Sequence, residues 1–184
     1  KQYRVADYRG QWNAVKFPWH ILEMMDLFLK EKAKSFIHPS ATIHPSAVIE
    51  GDVYIDEGAQ ILPHVVINGP AYIGRNCEIR YGSIIRGGSM GDRCVIGAHS
   101  EIKGTVLHSD VWTHGTYLGD SVVGNNVSFG TGTVTANLRL DEGHVHSHVG
   151  GKKMSTGRIK FGTAVGNDVR VGMKVGINPG VKIG

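Results

Sequence analysis

The chain has 184 residues, 41% of them hydrophobic, enough for one folded core and a small appendage. Its 20 Lys and Arg against 16 Asp and Glu leave a net charge of +4, which favours anionic ligands such as phosphates. No apolar run approaches the roughly 18 residues of a membrane span, no signal-peptide pattern opens the chain, and no aromatic-interleaved basic tract of the kind nucleic-acid binders use is present.

Residues 1–35 form the first unit. Pro18 is placed to open a helix, because the first helical position needs no N–H donor. Ile21, Leu22, Met25 and Phe28 fall on one face of that helix. The chain starts at Lys1 without a methionine and is read as part of something longer. The run Leu29-Lys-Glu-Lys-Ala-Lys-Ser35 then leads into a different regime.

From Ile37 onward isoleucine returns every sixth residue: Ile37, Ile43, Ile49, Ile55, Ile61, Ile67, Ile73, Ile79 and Ile85. Neither a helix, with a period of about 3.6, nor a strand, with a period of 2, keeps such a beat. A self-similar hexapeptide marks a solenoid of parallel strands. The phase slips by single residues through Met90, Ile96, Ile102, Leu107, Thr113, Leu118, Val123, Phe129 and Thr135, and resumes at Ile159, Val165, Val171, Ile177 and Ile183. Three hexads close a triangular turn of about 18 residues, with the aliphatic side chains stacked inside. A small residue sits four places after each aliphatic one, as in Ile37-His-Pro-Ser-Ala41 and Ile73-Gly-Arg-Asn-Cys77. Gly, Asn and Asp in between suit the corners. The expected fold is all-β: a left-handed parallel β-helix of hexapeptide repeats over 36–184, after a short helical segment. The left hand comes from the known architecture of such hexads, since crossovers are otherwise right-handed.

Cys77 and Cys94 are about one coil apart and read as inward-facing free thiols, which fits a reducing cytoplasm; a disulfide is the alternative. Arg86 and Lys103 are also about one coil apart, so both can project from one edge and grip a phosphate, or stand there as unrelated solvated charges. His114 follows Thr113. If Thr113 points inward, His114 turns to the surface near a corner, where an imidazole can serve as a general base or simply face water.

The beat stops over 137–158. The stretch Gly143-His-Val-His-Ser-His-Val149 alternates, Gly150-Gly151 follows, and an excursion of two short strands with a Gly-Gly turn is expected. Asn137 stands where the coil breaks, a place for a ligand contact or for a plain turn. His144, His146 and His148 could share a strand face and bind a metal, or be an exposed polar face. His99, His108 and His114 could be imagined as metal ligands of a hydratase, but their surroundings lack the motif of the γ-class carbonic anhydrases. No metal is expected.

Four pieces, in order and spacing, carry a resemblance: Glu101-Ile-Lys103, His114-Gly-Thr-Tyr-Leu-Gly-Asp120, Gly130-Thr-Gly-Thr-Val-Thr-Ala-Asn-Leu-Arg139 and Ser155-Thr-Gly-Arg158. The run from Lys103 to Gly184 resembles the C-terminal domain of bifunctional sugar-1-phosphate nucleotidylyltransferase/glucosamine-1-phosphate N-acetyltransferases of the archaeal type. Residues 1–35, with Trp12 and Phe17-Pro-Trp-His-Ile-Leu22, resemble the last stretch of the nucleotidylyltransferase domain, whose Gly-rich nucleotide signature is missing. The resemblance implies a cytoplasmic homotrimer that moves acetyl from acetyl-CoA to an amino-sugar 1-phosphate, glucosamine 1-phosphate first and galactosamine 1-phosphate second.

By the same resemblance, His114 is the catalytic base, and Asn137 orients the amine. Arg86, Lys103 and Tyr117 bind the sugar phosphate with Asn137. Gly130, Thr131 and Met173 lie on the cofactor side, where backbone N–H groups of Gly130 and Thr131 meet the oxyanion. There are departures. Gly143 and His146 stand where the family carries loop lysines, with Lys152 and Lys153 further along, and Met173 stands where bacterial relatives carry a serine. A second implication is therefore a non-catalytic trimerisation or regulatory domain of a sugar nucleotidylyltransferase.

Overall fold

The structure is a computed structural model that describes residues 3–10, 12–32 and 34–184. Lys1, Gln2, Gln11 and Ala33, all within the helical segment expected over 1–35, lie outside the described residues.

The chain winds into a left-handed parallel β-helix of about eight turns. Its register resolves three faces. On the first, Phe36 pairs with Tyr54, then Tyr72, Ser89, Val106, Val122, Ala164 and Lys182 in turn. The second runs from Thr42 through Gln60, Glu78, Val95, Trp112 and Ser128 to Arg170. The third runs from Val48 through Val66, Ile84, Glu101, Tyr117 and Val134 to Gly176. Three long strands, Val66–Ile73, Ile84–Met90 and Glu101–Leu107, turn the corner from the third face to the first and join those two faces into one sheet.

These pairs show why the hexad clock slips. Steps along the first face are 18, 18, 17, 17 and 16 residues from Phe36 to Val122, then 42 to Ala164. Each lost residue shortens a corner while the aliphatic residue stays inside. Ile61, Ile79, Ile96, Thr113 and Phe129 follow one another in one inner column, and Ile67, Ile85, Ile102 and Leu118 in another. Ile37, Ile43 and Ile49 are less covered, because they belong to the first coil and have a neighbour on one side only. Cys77 and Cys94 are free, buried and in adjacent coils, and their thiols donate to Gly91 O and His108 O, each at 3.0 Å.

The 42-residue step contains the excursion. Strands His146–Val149 and Lys152–Ser155 pair antiparallel around Gly150-Gly151, whose φ values of 55° and 76° suit a tight hairpin turn. Ile159 does not resume the coil. It is 52% exposed and precedes the antiparallel bridge between Leu138 and Lys160 that closes the base of the excursion. The coil restarts at Phe161-Gly162-Thr163.

Helix α1 (Pro18–Lys32) lies outside the first face. Its start packs Trp19 and Leu22 on Val122, Val145, Phe161 and Ala164; its end packs Met25 and Leu29 on Tyr72 and Val106. It therefore runs down the stack, against the winding of the coil. At about 1.5 Å per residue it covers roughly four coil spacings. The buried stripe is Trp19, Leu22, Met25 and Leu29; Phe28, expected on it, is 50% exposed, because its partner surface lies one helical step away. No described helix is long and apolar enough to cross a membrane.

Candidate functional site

The residues expected to act together divide between the two corners that bound the third face. The first corner carries His114. Ile96 and Glu101 are five residues apart, and their partners Thr113 and Tyr117 are four apart, so this corner is one residue short. Thr113 is buried and pairs with Ile96, and the next residue, His114, is exposed. Gly97 lies below it, where an added Cβ would fall 3.0 Å from His114 Cα. In the next coil the matching place is Gly130, whose Cβ would fall 2.7 Å from Met173 N. The imidazole therefore stands between two positions without side chains. Its ring makes no hydrogen bond to the described residues.

Gly130, Thr131 and Met173 continue that corner into the next coils. Thr131 O accepts from Lys174 N at 2.8 Å, and Met173 is 74% exposed. The two backbone donors expected there are not equivalent. Gly130 N–H is spent on Val171 O at 2.9 Å, whereas Thr131 N–H has no partner among the described residues. Only Thr131 is free to meet a developing negative charge. A pantetheine-like arm laid on this corner would meet backbone rather than side chains at Gly130 and Gly172, so the residues fit an extended thioester cofactor.

The opposite corner carries the cations. Arg86 and Lys103 are direct register neighbours at the end of the third face. Each has a carboxylate partner. Arg86 Nε donates to Glu101 Oε1 at 2.7 Å, and Lys103 Nζ to Asp120 Oδ2 at 2.8 Å. Two charges of each sign leave this edge neutral, so a phosphate here competes with Glu101 and Asp120 for its donors. Asp120 is 7% exposed and holds φ at 48°, in the left-handed region that Asp tolerates better than most residues. Asn137 Nδ2 donates to Asp120 Oδ2 and lies 3.4 Å from Tyr117 Oη. Lys103, Asp120, Asn137 and Tyr117 thus form one hydrogen-bonded cluster drawn from successive coils. Tyr117 projects from the face between the two corners, whose strand Tyr117–Gly119 spans roughly 10 Å.

Asp120 and Glu101 are the site residues that the sequence reading missed. The available signal was spacing: Asp120 is 17 residues after Lys103, and Glu101 is 15 after Arg86. A carboxylate one coil away from a cation is a predictable partner.

The histidines do not assemble a metal centre. The strand begins at His146, so His144 is not on it, and only His146 and His148 share its face. His108 is six residues before His114, a third of a coil, and therefore stands on another corner. Among the described residues no three His, Cys, Asp or Glu side chains gather to hold a metal ion. Gly143 is half-buried and supplies no side chain; Lys152 and Lys153 are exposed on the hairpin.

The family model described as the GMPPB C-terminal domain matches residues 32–140. A bifunctional sugar-1-phosphate nucleotidylyltransferase/acetyltransferase of Sulfurisphaera tokodaii is 39% identical to this chain, over 98% of this chain and 45% of that protein. A bifunctional protein GlmU of Methanococcus vannielii is 41% identical, over 95% of this chain and 42% of that protein. The chain therefore spans less than half the length of these curated relatives. Among solved structures, the acetyltransferase domain of PglB from Neisseria gonorrhoeae in complex with acetyl coenzyme A is 17% identical, over 97% of this chain and 81% of that chain, with a TM-score of 0.33. A superposition that loose carries no argument.

Proposed function

The chain belongs to the family described as the GMPPB C-terminal domain, and from that membership and its bifunctional relatives we propose that it is an acetyl-CoA-dependent N-acetyltransferase acting on an amino-sugar 1-phosphate. Glucosamine 1-phosphate is the first acceptor to test. The observation that carries the reading is the exposed His114 imidazole, which stands on a corner cleared of side chains above and below, across the third face from the polar cluster.

The chemistry follows from that layout. An amine attacks a thioester only through its lone pair, so one N–H proton must leave as the C–N bond forms. His114 takes that proton and can return it to the departing thiolate. The Thr131 N–H meets the carbonyl oxygen as it gains charge. At the far corner Arg86 and Lys103 exchange their carboxylate partners for the sugar phosphate. Tyr117, on the stretch between the two corners, and Asn137, beside Asp120 at the far one, orient the sugar. Bound acetyl-CoA supplies the activated acetyl group along the Gly130, Thr131 and Met173 corner. We place the active form as a cytoplasmic homotrimer in which a neighbouring chain closes that exposed corner; the free thiols of Cys77 and Cys94 suit a reducing compartment. Residues 1–35 fit the reading as the end of a preceding nucleotidylyltransferase unit.

His114→Ala is expected to lower acetyl transfer, followed by thiol release, about a thousandfold while the melting temperature and oligomeric state hold. Full activity in that variant removes His114 as the base. Arg86→Ala and Lys103→Ala are expected to raise the KM for the sugar phosphate more than that for acetyl-CoA; the opposite ranking moves the phosphate elsewhere.

One observation favours a second reading, a non-catalytic trimerisation or regulatory domain: both candidate phosphate cations already have carboxylate partners. A thermal-shift screen separates the two, because a ligand of the folded state alone raises its melting temperature. No shift with CoA, acetyl-CoA or any amino-sugar phosphate selects the second reading.

A further inference from the structure

The excursion returns to the coil through the residues that hold the acceptor cluster. Phe161 N–H donates to Asn137 O at 2.9 Å, and the next residue, Gly162, donates from N–H to Asp120 O at 2.8 Å. Thr163 N then donates to Ser121 Oγ at 3.0 Å, and that hydroxyl donates to Gly119 O at 2.8 Å. The backbone of 161–163 is therefore laced to both Asn137 and Asp120, whose side chains bond each other, Asp120 also accepting from Lys103.

The Phe161 ring points the other way. It is fully buried, and it meets the Trp19 ring of helix α1 edge-on at 6.0 Å. Trp19 is fixed in turn by Phe17, stacked on it at 4.7 Å, and by Leu22 and Val145 in the same apolar cluster. One residue thus has its ring in the helix contact and its main chain bonded to the site. Close-packed rings transmit displacement, because protein interiors leave little free volume to absorb it.

We propose that Phe161, seated by Trp19, is a positioning residue for the acceptor half of the site, so that the placement of helix α1 governs how well Asn137 and Asp120 present themselves to the amino-sugar phosphate. This rests on the acceptor role given above to Asn137. Its consequence is regulatory: a partner or preceding unit that shifts helix α1 changes acceptor affinity while leaving the His114 corner, which helix α1 does not touch, as it was.

The test has one readout that needs no turnover. In the full chain labelled with ¹⁵N, the side-chain amide signals of Asn137 are identified by their loss in Asn137→Ala. They are expected to move in Phe161→Leu and in Trp19→Ala, and to return towards the wild-type position in Trp19→Phe. Unmoved signals in Phe161→Leu overturn the coupling. In turnover, Phe161→Leu is expected to raise the acceptor KM about fivefold, with the acetyl-CoA KM and kcat changed less than about twofold. The double variant Phe161→Leu/Asn137→Ala is expected to be no worse than Asn137→Ala, since the ring acts through that residue. Losses that add, or equal rises in both KM values, reduce Phe161 to core packing and overturn the proposal. If Phe161→Leu does not fold, Trp19→Ala and Trp19→Phe decide by the same readouts. Moving amide signals in a chain that acetylates no amino-sugar phosphate keep the coupling and remove only the functional reading.

Discussion

The corner between the first and second faces and the two corners that flank the third face share one hexad, yet their inner small positions differ. Where the first face turns into the second, those positions are Ala41, Ala59, Cys77, Cys94, Val111, Val127 and Val169, all apolar. Around the third face they begin as Ala47, Val53, Val65 and Ala71, become Ser83, Ser100, Thr105, Thr116, Ser121, Thr133 and Thr163 with Gly88 among them, and return to Val175 and Val181 in the last coil. These hydroxyls are buried, and all but Ser100, which bonds Thr113 Oγ1, hold main-chain carbonyls. Thr105 Oγ1 donates to Lys103 O at 3.0 Å, Thr116 Oγ1 to His114 O at 3.2 Å, and Ser121 Oγ to Gly119 O at 2.8 Å. The switch coincides with the shortening of coils from 18 to 17 and 16 residues. A tighter corner turns carbonyls inward, and a buried carbonyl needs a donor. Apolar stacking therefore builds the spine, and hydroxyl columns shape the two corners to which the proposed chemistry is assigned.

Three perturbations break or sharpen that contrast. The largest acts on the spine. Ile67→Ala in the inner column is expected to cost about 3 kcal/mol, read from the denaturant midpoint, while acetyl transfer by the folded fraction is unchanged. The second exchanges the two kinds of corner. Thr105→Val keeps the shape but leaves Lys103 O without its hydroxyl donor, at a cost of about 2 kcal/mol, and the acceptor KM rises with it. The reverse change, Val111→Thr, buries a hydroxyl in the apolar corner, costs about 1 kcal/mol and leaves both KM values alone. Equal kinetic effects from the two variants would erase the distinction between the corners.

The smallest effect concerns Tyr72, on the outer surface of the first face. Burial, and next the hydrogen bond it donates to Asp56 Oδ2 at 3.0 Å, push its phenol up to about 12. The folded value lies above the ordinary 10, so the folded state favours the neutral phenol. That contribution is complete below pH 10 and is lost as pH rises through about 12. A spectrophotometric titration is expected to show one late phenolate that disappears in Tyr72→Phe.

The coil was legible in the sequence because each inner isoleucine meets the same surroundings one turn later, so repetition reveals the environment. The Gly150-Gly151 hairpin was legible for a local reason, since two adjacent glycines supply the φ values its turn needs. Ile159 misled because it keeps the beat by number alone while lying outside the bridge that closes the excursion. Phe28 misled because the helical face was drawn without its partner surface. Glu101 and Asp120 were hidden because a carboxylate reveals its cation only once corner lengths are known.

Taken alone, the amino-acid order determined the repeating coil, its stacked interior, the helix start at Pro18 and the place of the excursion, since each depends on neighbours within one turn. The third dimension decided which charges pair at Arg86 and Lys103, which backbone donor stays free at Thr131, and that Phe161 joins Trp19 to Asn137. Those contacts span from 15 to 142 residues of chain, and only the shortened corners and the packed helix bring them within reach.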